Sequence, residues 1–139
     1  TFQAARIMIE RLNQLLKEGK SFAFETKLSG VTYLDFIRLA KLKGYEIILF
    51  FVWLESVELA KERVALRVSK DGHNISPGVI SRRYKKGIQN FSRYASEVND
   101  WYIFDNSGTE YFLIARSVRK VKEIFNFEIF QKIINDEFK

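Results

Sequence analysis

Three short stretches of this chain combine residue types that could do chemistry. The first is Phe24-Glu25-Thr26-Lys27-Leu28-Ser29-Gly30. A carboxylate at the end of an apolar stretch, followed by two hydroxyls, a Lys and a Gly ahead of a helix, could accept from a substrate hydroxyl and donate to anionic groups. The same residues would also serve as a strand-to-helix loop whose polar groups cap the helix. The second stretch, Lys61 to Arg93, holds nine Lys or Arg against two acids, a net of +7, so the other residues carry −1 of the chain's +6. Arg63 and Arg67 are four apart and share a helix face; Arg82 and Arg83 are adjacent, with Lys85 and Lys86 just beyond. Planar guanidinium groups donate paired hydrogen bonds to phosphate oxygens, so two arginine-bearing helices joined by a Gly-containing loop could close over a triphosphate. The plainer reading is a solvated basic face. The third stretch, Tyr102-Ile103-Phe104-Asp105-Asn106-Ser107, ends in Asp105 and Asn106, which could read a base or ribose but are also ordinary turn residues.

Elements must position these groups, and helix and strand patterns alternate along the chain. Ala5 to Lys17 is apolar at helical spacing through Ile9, Leu12, Leu15 and Leu16, with Gly19 as its stop. Ser21 to Glu25 reads as a short buried strand. Tyr33 to Leu42 is a second amphipathic helix, with Leu34, Phe36 and Ile37 inward and Gly44 at its end. Glu46 to Leu54 is the strongest strand signal, an apolar run that suits a parallel strand covered on both faces. Ser56 is placed to cap a helix through Leu59, Val64 and Val68, with Glu58 and Glu62 complementing its dipole. Asp71-Gly72 breaks that helix. Pro77 opens the next, through Ile80, Tyr84, Ile88 and Phe91. Trp101 to Asp105 and Glu110 to Ala115 are two further strands, and a last helix runs from about Phe127 to Phe138. The order predicts an α/β layered fold with a mainly parallel sheet, in which ligands bind beyond the carboxyl ends of the strands.

Composition narrows the functions. The 139 residues suit one domain, and 47% hydrophobic with 15% aromatic residues supports a packed core. No Cys is present, which excludes thiolate chemistry and suits a cytoplasmic protein. His73 is the lone histidine and lies between the basic helices, so no zinc site is expected; structural hydrogen bonding or a phosphate contact suits it better. No Gly-x-Ser-x-Gly elbow supports a hydrolase. The apolar run Ile47 to Leu54 is too short to span a bilayer, and no signal peptide is apparent. The aromatics fall at core positions, with no array suggesting base stacking, which ranks nucleic-acid binding through the basic helices below a phosphate-covering role.

The blocks FAFETKLSG, KGYEIILFFVWL, ERVALRVSKDGHNISPGVISRRYKKGIQNF and WYIFDNSG…FLIA, in this order from about Ala5 to Ala115, resemble the zeta-toxin-like P-loop kinases. The most specific part is GHNI…VISRRYKKG. The resemblance implies a three-layer P-loop kinase-like fold over residues 1–139, with a lid at about 61–93. It implies that Glu25 and Thr26 bind the phosphoryl acceptor, that Arg67, Arg82 and Arg83 act catalytically over the ATP phosphates, and that Arg63, Asp105 and Asn106 lie near the nucleotide. It further implies ATP and Mg²⁺ as cofactors of the complete protein, an amino-sugar nucleotide such as UDP-N-acetylglucosamine as acceptor, and an antitoxin partner. The sequence departs from the family in lacking Gly-x-x-x-x-Gly-Lys-Ser/Thr, the motif that supplies the phosphate cradle, its Lys and the Mg²⁺-binding hydroxyl. The first strand and the family's catalytic-base acid likewise have no match. The resemblance therefore implies an N-terminally truncated kinase that is expected to be inactive alone, for which self-association through an exposed sheet edge is a further expectation. Lys27 stands where relatives often have Thr, which implies a changed acceptor preference.

Overall fold

The computed structural model describes residues 2–70 and 75–135, with only the backbone of Phe2. Five helices and four strands follow in the order α1 (Phe2–Lys17), α2 (Thr32–Leu42), β1 (Ile48–Trp53), α3 (Val57–Lys70), α4 (Pro77–Ala95), β2 (Asp100–Asp105), β3 (Phe112–Val118), β4 (Val121–Ile124) and α5 (Phe127–Ile134). The sheet order is β1-β2-β3-β4. The expected local signals operate as written. Gly19, at φ 68°, lets the chain leave α1 in the left-handed region. The Ser56 hydroxyl accepts from the Leu59 N–H at 3.1 Å at the start of α3, and Ser76 accepts from Val79 N–H ahead of Pro77 in α4.

The sheet is mixed rather than mainly parallel. β1 pairs with β2 in parallel, from Ile48 opposite Asp100 to Trp53 opposite Asp105. β2–β3 and β3–β4 are antiparallel. The difference arises after β2, where the chain returns through a short loop instead of a crossover helix, as antiparallel pairing permits. β4 was not expected. It follows a two-residue turn at Arg119 and Lys120, φ 53° and 65°, steadied by the Arg119 N–H donating to Asp100 Oδ1 at 3.0 Å. A register shift between Ile103 and Phe104 leaves Ile114 as the extra residue of β3 and turns both Ile114 and Ala115 into the core.

The core lies on one face of the sheet. Phe51, Trp53, Trp101 and Ile103 pack there against Leu34 and Ile37 of α2, Ile88, Phe91 and Tyr94 of α4, and Phe130 and Ile133 of α5. α1 joins through a second cluster of Leu12, Leu16, Phe36 and Ala40. Three layers are therefore not seen among the described residues. The alternate β1 side chains face outward, with Phe50 61% exposed, so the apolar run is not covered on both faces. Its outer half packs laterally instead. Phe50 stacks on Tyr102 at 5.3 Å, Tyr102 on Phe104 at 6.3 Å, and Tyr111 meets Phe104 edge-on. An aromatic array therefore exists, contrary to the sequence expectation, because Tyr102 and Phe104 are two apart and Phe50 pairs opposite Tyr102.

The expected strand over Ser21–Glu25 does not form. The segment is extended, and its alternation is real: Phe22 and Phe24 pack on Phe36, with Tyr45 and Tyr33 beside them. No neighbouring backbone among the described residues pairs with it, and a strand needs that ladder. The last helix begins at Phe127 as expected; residues 136–139 lie outside the described residues.

Candidate functional site

α4 organises the site. Ile80, Gly87, Ile88, Asn90, Phe91 and Tyr94 are all buried, whereas α3 has no buried residue. The two basic helices are therefore unequal: α4 is part of the core and α3 lies against it. Arg82 is exposed and Arg83 half-buried on the first half of α4. The next residue, Tyr84, donates its hydroxyl to the Leu54 carbonyl at 2.7 Å. That bond seats the arginine-bearing turn at the carboxyl end of β1, where ligands of α/β sheets bind. Among the described residues Arg67, Arg82 and Arg83 form no ion pair.

Burial, reinforced by the nearby Glu58 and Glu55 charges, pushes the Tyr84 hydroxyl up to about 12. The fold thus favours neutral Tyr84. Between the ordinary tyrosine value of about 10 and the folded value, the unfolded chain ionises first. The stability from Tyr84 is whole below the lower value and is lost as pH rises through the upper one. Thermal melts are expected to fall in temperature over this alkaline window, and Tyr84→Phe to flatten part of that fall. Tyr94 is shifted the same way, mainly by burial, and accounts for a further share.

The loops beyond β1 and β2 are knitted together. Asn106 N–H donates to the Trp53 carbonyl at 3.0 Å, and Glu55 N–H to Ser107 Oγ at 2.9 Å. Asp105 Oδ1 accepts from both the N–H and the hydroxyl of Ser107, a side-chain turn of the ordinary Asp kind. Arg63 reaches from α3 and donates to the carbonyls of Asn106, Ser107 and Gly108 at 2.9, 3.1 and 3.2 Å. The structure therefore brings Arg63, Asp105 and Asn106 together, but their visible bonds hold a loop. Arg67, four residues on, is exposed.

Glu25 and Thr26 are exposed at the start of the loop into α2. Thr26 Oγ1 accepts from Leu28 N–H at 3.2 Å, so its oxygen closes a turn while its O–H stays able to donate. The loop runs against α4: a Cβ at Gly87 would stand 3.2 Å from the Lys27 carbonyl oxygen. Gly87 lies one turn beyond Arg83, so the Glu25 loop and the arginines share one helix. Asn90 Nδ2 donates to the Leu28 carbonyl at 2.8 Å, and the Tyr94 hydroxyl to the Gly30 carbonyl at 2.7 Å. Sequence reasoning missed these contacts and the Tyr84 bond. Asn90, polar within an apolar stripe, was the one visible signal. His73 and its neighbours Gly72 and Asn74 lie outside the described residues.

Among the described residues no group of three or more His, Cys, Asp or Glu side chains could hold a metal ion. A concave space of about 530 Å³ sits at the opposite end of the sheet, lined by Lys41, Asp100, Trp101, Arg119 and Lys120 and by Ala95 at the far end of α4 from Arg82 and Arg83. No described helix is long and apolar enough to cross a membrane.

The zeta-toxin family profile matches residues 2–117, which include the Glu25 loop, both basic helices and the loop after β2. The chain belongs to the zeta-toxin family. Its similarity to an uncharacterized protein of Haemophilus influenzae is 28% identity over 81 residues, 58% of each chain. The chain thus spans 58% of the length of the curated relative it matches. No solved structure matches it. Family membership accords with the α/β architecture, realised among the described residues as a mixed sheet with its core on one face.

Proposed function

We propose that this zeta-toxin-family chain, as one kinase-like unit, supplies the acceptor-binding and phosphate-facing parts of an ATP-dependent small-molecule kinase. One observation carries the reading: a carboxylate-bearing loop and two adjacent arginines are fixed to the same core helix, the arginines beside Tyr84, which bonds the carboxyl end of β1. Glu25 accepts from the acceptor hydroxyl and orients it, with Thr26 donating beside it. Arg82 and Arg83, joined by Arg67 from α3, neutralise the negative charge that develops as the hydroxyl oxygen bonds to the γ-phosphorus and the bond to the β-phosphate oxygen breaks; ADP leaves with that oxygen, and the hydroxyl proton passes to a base that, like the P-loop, has no match in these residues. Arg63, Asp105 and Asn106 shape the loop beside the nucleotide. ATP supplies the phosphoryl group. The exposed arginines suit its outer phosphates, while the backbone cradle and the Mg²⁺ ligands must come from a P-loop that these residues do not contain. The acceptor is of the nucleotide-sugar class, as for family members acting on UDP-N-acetylglucosamine, and an antitoxin is the expected partner.

The test is transfer of the labelled γ-phosphoryl group of ATP to UDP-N-acetylglucosamine and related nucleotide sugars by the whole protein. Failure to label any acceptor hydroxyl sinks the reading. Nucleic-acid binding fits less well, because the stacked aromatics and the basic helix α4 lie on opposite faces of the sheet and cannot grip one strand together. The open outer face does favour a second behaviour, association of these 139 residues with one another. Sedimentation velocity over a concentration series is expected to show it; a monomer at high concentration counts against it.

A further inference from the structure

The carbonyl groups of the Glu25 loop meet α4 along a single stripe. The Lys27 carbonyl lies over Gly87, that of Leu28 accepts from Asn90, and that of Gly30 accepts from Tyr94. The spacing of three and then four residues is one helix face. Leu28 itself is held at φ 55°, in the left-handed region that a side chain with a Cβ resists. Its side chain, 5% exposed, is sunk into the core next to Ile88 and Phe91. The loop is thus pinned from both sides at the residue after Lys27. Thr26 Oγ1 closes the turn from within.

Resting on the acceptor reading of this loop, we infer that Asn90 and Tyr94 are positioning residues that clamp residues 26–30 against α4 and so set where Glu25 and Thr26 meet the acceptor. Gly87 provides the clearance. Any side chain there would press on the Lys27 backbone carbonyl, which cannot swing away as a flexible side chain could. Burial holds the Tyr94 hydroxyl protonated and hence a donor. Because Arg82 and Arg83 stand on the same rigid helix, the clamp fixes the acceptor hydroxyl relative to the charge-neutralising groups. Displacements of about 1 Å in such an arrangement cost on the order of 10²-fold in rate. A helix that carries the arginines and also dictates the acceptor loop makes acceptor selectivity a property of residues 87, 90 and 94 as much as of Glu25.

The test uses the 139-residue chain, with amide hydrogen exchange and titration with UDP-N-acetylglucosamine. Tyr94→Phe keeps the packed ring and removes only the donor; Asn90→Ala removes the second. Each variant is expected to raise exchange at residues 26–30 by about 10-fold, with β2 unchanged, and to weaken UDP-N-acetylglucosamine binding by about 10-fold. Gly87→Ala should do the same through displacement. Unchanged loop exchange in Tyr94→Phe and Asn90→Ala overturns the clamp. So does exchange that rises equally in β2, which marks general destabilisation, or wild-type affinity despite a loosened loop. If exchange rises only in the loop but Glu25→Gln binds like wild type, the acceptor assignment fails and the clamp stands.

Discussion

Arg82→Ala in the whole protein is expected to lower kcat by about 10³-fold, the low end of what an arginine contributes to phosphoryl transfer. Arg82 is exposed and has no ion-pair partner among the described residues, so its removal should leave the melting temperature in place, as surface substitutions usually do. The loss would then be catalytic rather than structural. KM for the acceptor should move little, because the charge being neutralised appears only as the phosphoryl group transfers. Arg82→Lys should recover only part of the rate, since an ammonium keeps the charge but not the planar paired donors. Arg83→Ala is expected to act in the same direction, with some loss of stability, because Arg83 is half-buried beside Tyr84. Steady-state kinetics with a nucleotide-sugar acceptor decides the matter. Wild-type rates in both the Arg82 and Arg83 variants would remove these arginines from the chemistry.

The sequence made α4 readable because its apolar stripe, Ser76 and Pro77 all agree, and agreement of local signals is what makes an element legible. β1 was readable for the same reason, but its environment was not. An unbroken apolar run means burial on both faces only if another layer exists, and here Phe50, Tyr102 and Phe104 cover one another instead. β4 left no mark: all four of its residues are exposed, and its turn uses Arg119 and Lys120 where Asn-Gly would have signalled a hairpin. Residues 21–25 gave the opposite error, since alternation predicts an extended segment but cannot predict a pairing partner. The candidate site shows the same division. Glu25 and the arginines could be proposed from residue type. That Arg63 would spend its donors on carbonyls 43 to 45 residues away, and Asn90 on one 62 residues away, depends on the tertiary structure alone.

Glu25→Gln in the whole protein tests the other half of the site. Gln has nearly the same shape, so the exposed loop should keep its conformation, and hydrogen exchange at residues 26–30 should match wild type. What changes is charge. A carboxylate accepts a stronger hydrogen bond from the acceptor hydroxyl than a neutral amide carbonyl does, and so leaves more electron density on the hydroxyl oxygen. The expected result is a fall in kcat/KM for the acceptor of about 10²-fold, in the range set by a positioned side chain that assists a proton, with KM for ATP unchanged. Thr26→Val, which removes the hydroxyl, should show less than this but also loosen the turn, because Thr26 Oγ1 accepts from Leu28 N–H. The contrast between the two variants separates what contacts the acceptor from what shapes the loop. If Glu25→Gln turns over like wild type while Thr26→Val does not, the carboxylate is a surface group and the loop acts through its backbone.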